Sequence, residues 1–113
     1  MNESTISSDL IRGNIDTIIL CVLLDGDNYG YEIIKTIFKN SEGRYELKEP
    51  SLYTSLKRLE SQKQIESYWG NESQGGRRKY YRVTEIGKVT YIKSLSAWQT
   101  AKELIDRLIE RKV

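Results

Sequence analysis

The stretch Gln74-Gly75-Gly76-Arg77-Arg78-Lys79-Tyr80-Tyr81 holds the groups best suited to chemistry, and that chemistry is non-covalent. Consecutive guanidinium and ammonium groups can meet phosphate oxygens through several charge-assisted hydrogen bonds. Aromatic residues flank them, in Ile65-Glu66-Ser67-Tyr68-Trp69 before and in Lys79-Tyr80-Tyr81-Arg82-Val83 after. Both runs are rich in strand-favouring side chains, so the spacing predicts a β-hairpin with a flexible basic tip. Such a tip suits gripping a nucleic-acid backbone or reaching into a groove. By itself it would serve equally as a solvated turn, since charged residues crowd exposed loops.

A second set lies just upstream. Pro50 is preorganised for the first turn of a helix, and the pattern predicts one through Glu60. Leu52, Leu56 and Leu59 recur at helical spacing and form one apolar stripe. Thr54, Lys57, Arg58 and Ser61 turn away from that stripe, with Ser51 and Tyr53 beside it. Hydroxyls, cations and an aromatic on one face can bond phosphates and base edges. An isolated helix with a merely solvated face would look the same; the basic hairpin immediately downstream favours nucleic acid.

What is missing excludes much else. The chain has no histidine, which removes histidine-based triads, dyads, general bases and zinc sites. Neither a Walker loop nor a Gly-x-Gly-x-x-Gly occurs, and Asp25-Gly26-Asp27 reads as a turn. No enzyme, metal site or cofactor is expected. The single cysteine, Cys21, sits in the apolar run Ile18–Leu24 and is expected to be a small buried hydrophobe, which fits a reducing cytoplasm. No apolar run reaches the roughly 18 residues of a membrane span, and Met1–Thr5 lacks the basic segment of a secretion signal.

The net charge of +2 hides a polarised distribution: residues 1–47 carry −4, residues 48–83 carry +4 and residues 84–113 carry +2. The basic middle coincides with the helix and hairpin above, as a surface aimed at an anionic partner requires.

The elements that must position these groups follow from periodicity. A first helix is expected from Ser7 or Ser8 to about Leu24, with Ile11, Ile15, Ile18 and Val22 on one face. A second runs from about Tyr29 to Lys39, and the third and the hairpin follow. Thr84-Glu85-Ile86-Gly87 then opens a final helix ending near Lys112. The chain is mainly α with a small β-hairpin, in the element order of a winged helix-turn-helix. On the final helix, Tyr91, Leu95, Trp98, Lys102, Ile105 and Ile109 step by fours and threes, a heptad-like seam interrupted by one lysine. A partner chain is the expected cover for so long a helix, with Ile11 and Ile15 packing alongside; the alternative is that it folds back on its own domain. Residues 1–84 would form the winged domain and residues 85–113 a dimerisation helix.

Gly30-Tyr31-Glu32-Ile33, Pro50-Ser51-Leu52-Tyr53, Leu56-Lys57-Arg58-Leu59-Glu60 and Gly75-Gly76-Arg77-Arg78-Lys79-Tyr80-Tyr81 running into Thr84-Glu85-Ile86-Gly87 closely resemble the PadR family of bacterial transcriptional regulators. The resemblance covers essentially the whole chain. It is nearest to the short subfamily with one C-terminal helix, typified by a lactococcal multidrug resistance regulator. It implies a cytoplasmic homodimer on a pseudo-palindromic operator, usually repressing a transporter or detoxifying enzyme. Ser51, Tyr53, Thr54, Lys57 and Arg58 match the recognition helix; Gln74, Gly75, Gly76, Arg77 and Lys79 match the wing. Tyr29 and Tyr31 match phosphate contacts, with Tyr31 alternatively in the core. Trp98 matches a tryptophan that sandwiches planar aromatic ligands at the dimer centre, beside Leu10, Gly13, Asp16, Thr17 and Leu95. Lys102 replaces an acid found in drug-sensing relatives, which points away from cationic dyes. Trp98 as mere interface filler, a repressor without a ligand, and a winged protein-interaction module remain the rival readings.

Overall fold

The computed structural model describes residues 6–71 and 76–110. Ser7 caps a short helix, α1 (Ser8–Ile11), by accepting from the Asp9 N–H at 3.2 Å. Arg12–Asn14 then tighten into a 3-10 turn before α2 (Ile15–Leu24). The single first helix expected from the periodicity is thus broken at Gly13-Asn14, where two poor helix formers adjoin. α2 buries Ile19, Leu20, Val22 and Leu23, with Ile11, Ile15 and Ile18 packed at the core margin.

After Gly26, a two-residue strand, β1 (Asn28–Tyr29), leads into α3 (Gly30–Asn40), whose Ile33 and Ile37 are buried. Gly43 ends that segment at φ +77°, its N–H returning to the Phe38 carbonyl at 2.8 Å. Glycine meets no steric penalty in that left-handed conformation. Tyr45 and Leu47 fill the core before α4 (Glu49–Ser61), which buries Leu52, Ser55, Leu56 and Leu59. α4 begins one residue before Pro50.

β2 (Ile65–Trp69) and β3 (Lys79–Val83) form the expected antiparallel wing, with Tyr68 opposite Tyr80 and Trp69 opposite Lys79. β1 adds a third strand on the other side of β3, pairing Tyr29 with Tyr80. The hairpin is therefore part of a three-stranded sheet, tied back to the helices through β1.

Thr84 caps α5 (Glu85–Ile109): its Oγ1 accepts from the Gly87 N–H at 3.1 Å and donates to the Lys63 carbonyl at 2.7 Å. Gly87 is required there, because a Cβ would collide with the Gln64 carbonyl and a Val83 methyl. Beyond it, α5 buries none of its side chains fully. Cys21, expected to be buried, is exposed in this chain. It lies on the side of α2 that faces Tyr91, whose hydroxyl stands 3.7 Å from its sulfur. No helix among the described residues is long and apolar enough to cross a membrane.

Candidate nucleic-acid interface

α4 is anchored by its leucines, so its outer face is presented rigidly. Ser51, Tyr53, Thr54, Lys57 and Arg58 are all exposed on it. Thr54 donates its hydroxyl to the Pro50 carbonyl at 2.9 Å, leaving the oxygen's lone pairs free to accept. The Tyr53 ring lies against Gly30, and any Cβ at that position would overlap its hydroxyl end. This close fit aims Tyr53 along the start of α3. Tyr29, Gly30, Tyr31, Tyr53, Arg78, Lys79 and Tyr81 line a cleft of about 350 Å³ between α3, α4 and the wing. Tyr31 is exposed there, 60%, rather than in the core.

The wing is braced by rings. On the solvent face of the sheet Tyr68 stacks on Tyr80, centroids 5.7 Å apart, and Tyr29 meets Tyr80 edge-on at 5.4 Å. Arginines lie over these rings: Arg78 4.7 Å from Tyr29, Arg82 4.7 Å from Tyr68, and Arg77 5.3 Å from Trp69. Cation–π contact restrains guanidinium groups without consuming their N–H donors. Asp27 accepts from the Tyr68 hydroxyl at 2.6 Å and holds that phenol protonated above its ordinary range. Burial likewise pushes the Tyr81 phenol up. Gly76 takes φ +86°, and Arg77 and Lys79 are exposed beside it. Gln74 and Gly75, the other expected wing contacts, lie outside the described residues.

Arg58 differs from its neighbours on α4. Its Nε and Nη2 donate to the two carboxylate oxygens of Asp16, each at 2.8 Å, and Nη2 also reaches Ser55 Oγ at 3.1 Å. The hydrogen bond to Asp16, and then its charge, raise the guanidinium pKa above its usual value.

A separate apolar cleft of about 340 Å³ runs between α1, α2 and α5, lined by Leu10, Ile11, Asn14, Thr17, Ile18, Cys21, Tyr91, Leu95 and Trp98. Four of the expected ligand residues meet there: Leu10, Thr17, Leu95 and Trp98. Gly13, Asp16 and Lys102 do not line it. Asn14, Ile18 and Cys21 were not marked as ligand residues by the sequence, although Ile18 and Cys21 continue the one-turn steps from Leu10-Asn14 and Thr17. Of the expected interface residues, Ile11, Ile15 and Tyr91 pack against the chain's own core, while Leu95, Trp98, Ile105 and Ile109 are exposed along α5.

A helical core carrying a rigid polar helix and an antiparallel basic wing defines a winged helix-turn-helix, an architecture that suits a DNA-binding regulator. The sequence matches the model of the transcriptional regulator PadR-like family over residues 19–93, and the chain belongs to that family. It is 43% identical over 105 residues to a Lysinibacillus sphaericus protein called uncharacterized protein X, covering 93% of this chain and 96% of that one. It resembles the structure of a transcriptional regulator from Clostridium thermocellum with TM-score 0.85 and 43% identity, covering 91% of this chain and 100% of the other. A PadR family transcription regulator from Clostridium difficile gives TM-score 0.74 at 39% identity, covering 86% and 99%.

Proposed function

We propose that this regulator is a dimeric repressor that occludes a promoter by binding a pseudo-palindromic operator. α4 reads the major groove with Ser51, Tyr53, Thr54 and Lys57, and the wing grips the flanking backbone or minor groove through Arg77, Lys79 and the Gln74-Gly75-Gly76 tip. Tyr29 and Tyr31 contact phosphates beside α3. Arg58, occupied by Asp16, is left out of that contact set. The observation that carries this reading is the exposed polar face of α4 backed by fully buried leucines, with ring-braced wing cations alongside.

Residues 85–113 supply the dimer, with Leu95, Trp98, Ile105 and Ile109 covered by the partner chain. The cleft beside Trp98 receives a planar aromatic inducer, because an indole offers stacking area without demanding particular hydrogen bonds. Inducer and operator then oppose each other reciprocally, typically by about 1–3 kcal/mol.

Fluorescence anisotropy against the DNA upstream of the chain's own operon and against unrelated duplex tests the proposal. A preference of about a thousandfold or more that survives about 150 mM salt is expected for an operator binder. Equal, salt-labile affinity for both would contradict it.

A further inference from the structure

The ion pair between Asp16 and Arg58 joins residues 42 positions apart, the second residue of α2 to the outer side of α4. It is bidentate, and Ser55, only 2% exposed, supports it from below. A planar guanidinium held by both carboxylate oxygens has a fixed direction, which a lysine could not reproduce. That direction is across α4 toward α2, rather than outward with Thr54 and Lys57. Both partners remain partly exposed, with side chains 46% and 30% accessible, so the pair contributes little to stability. Its consequence is for charge. Arg58 borders a cleft of about 470 Å³ with Ser51, Thr54, Arg12, Lys48 and the acid Glu46, beside the face offered to DNA. An unrestrained Arg58 there could swing onto a passing phosphate.

We propose that Asp16 is a positioning residue that holds Arg58 back from the DNA backbone and so limits sequence-independent affinity. This rests on the DNA-binding reading of α4. Every phosphate contact strengthens binding to all duplexes alike, whereas base contacts discriminate. Withholding one cation from the recognition surface therefore lowers general affinity without touching the base-reading side chains.

Two variants release Arg58 or its charge by different routes. Asp16→Asn removes the acceptor charge, and Arg58→Lys keeps the net charge while abolishing the fork. Each should steepen the dependence of log affinity on log salt for unrelated duplex by about 1.8, one extra phosphate for each protomer of the dimer. Glu103→Gln on α5 changes net charge as Asp16→Asn does and should leave the slope unchanged. Asp16→Asn should also elute from heparin at higher salt than Glu103→Gln, and adding Arg58→Gln should cancel the gain. Equal slopes and elution for Asp16→Asn and Glu103→Gln would overturn the proposal, as would a gain that survives removal of Arg58. A wild type without operator preference would sink the repressor reading, while the heparin order would still decide the role of Asp16.

Discussion

Leu52, Leu56 and Leu59 of α4 are sealed inside the chain, whereas Ile92, Leu108 and Ile109 of α5 stand 65%, 71% and 72% exposed. The winged region completes its core from its own helices and sheet. α5, at 25 residues, extends about 37 Å at the usual helical rise. It rests on the domain near Gly87 and Tyr91, borders the cleft against α1 and α2 with Leu95 and Trp98, and leaves Ile105, Leu108 and Ile109 exposed farther along. A row of large apolar residues at three- and four-residue spacing is what a helix presents to another chain. One region thus holds a rigid surface while the other leaves large apolar side chains exposed, an arrangement that would suit the dimeric reader of two half-sites proposed above.

The sharpest break in that contrast comes from the core. Leu59→Ala should destabilise the fold by about 2–5 kcal/mol, because the fully buried site cannot collapse around the lost methyls. Urea titrations of the variant and the wild type at matched protein concentration would measure the difference; a cost near zero would mean α4 is not anchored as described. Next in size, Arg77→Gln with Lys79→Gln should weaken binding to every duplex and flatten the salt slope by about 3.6, two phosphates for each protomer of the dimer. An unchanged slope in anisotropy titrations would remove the wing from the interface.

Ile105→Lys on α5 should leave the winged core folded but raise the dimer dissociation constant by at least about tenfold. Sedimentation equilibrium reads this directly, and it predicts a wild-type melting temperature that rises with protein concentration. Concentration-independent melting in the wild type would instead join α5 to the monomer. The smallest effect is expected from Gly30→Ala. The new Cβ displaces the Tyr53 hydroxyl end rather than backbone, so stability should fall by only about 1 kcal/mol. The preferred operator bases should change, as a selection from randomised half-sites would reveal; an unaltered preference would exclude Tyr53 from base reading.

Much of the reading end was legible because local periodicity dictates it. The leucine stripe of α4, the proline at its start and the paired aromatic runs of the wing each follow from spacing within a dozen residues. β1 escaped notice because two residues, Asn28 and Tyr29, have no period of their own and become a strand only by pairing with Tyr81 and Tyr80. The same holds for the brace of rings: alternation places Tyr68 and Tyr80 on one face, but Tyr29 joins them only through that register. The Asp16–Arg58 pair left no sequence signal at all, since nothing local links residues on two different helices. Cys21 misled because its apolar neighbours are shared between two faces of α2, one packed inward and one turned to the cleft.

The most direct measurement is a hydroxyl-radical footprint across the DNA upstream of the chain's own operon. Two protected faces about 34 Å apart, one helical turn, with flanking protection from the wings, are predicted for two copies of α4 held by paired α5 helices. A single protected patch without its symmetry mate, or uniform weak protection along the fragment, would contradict the dimeric operator-binding account.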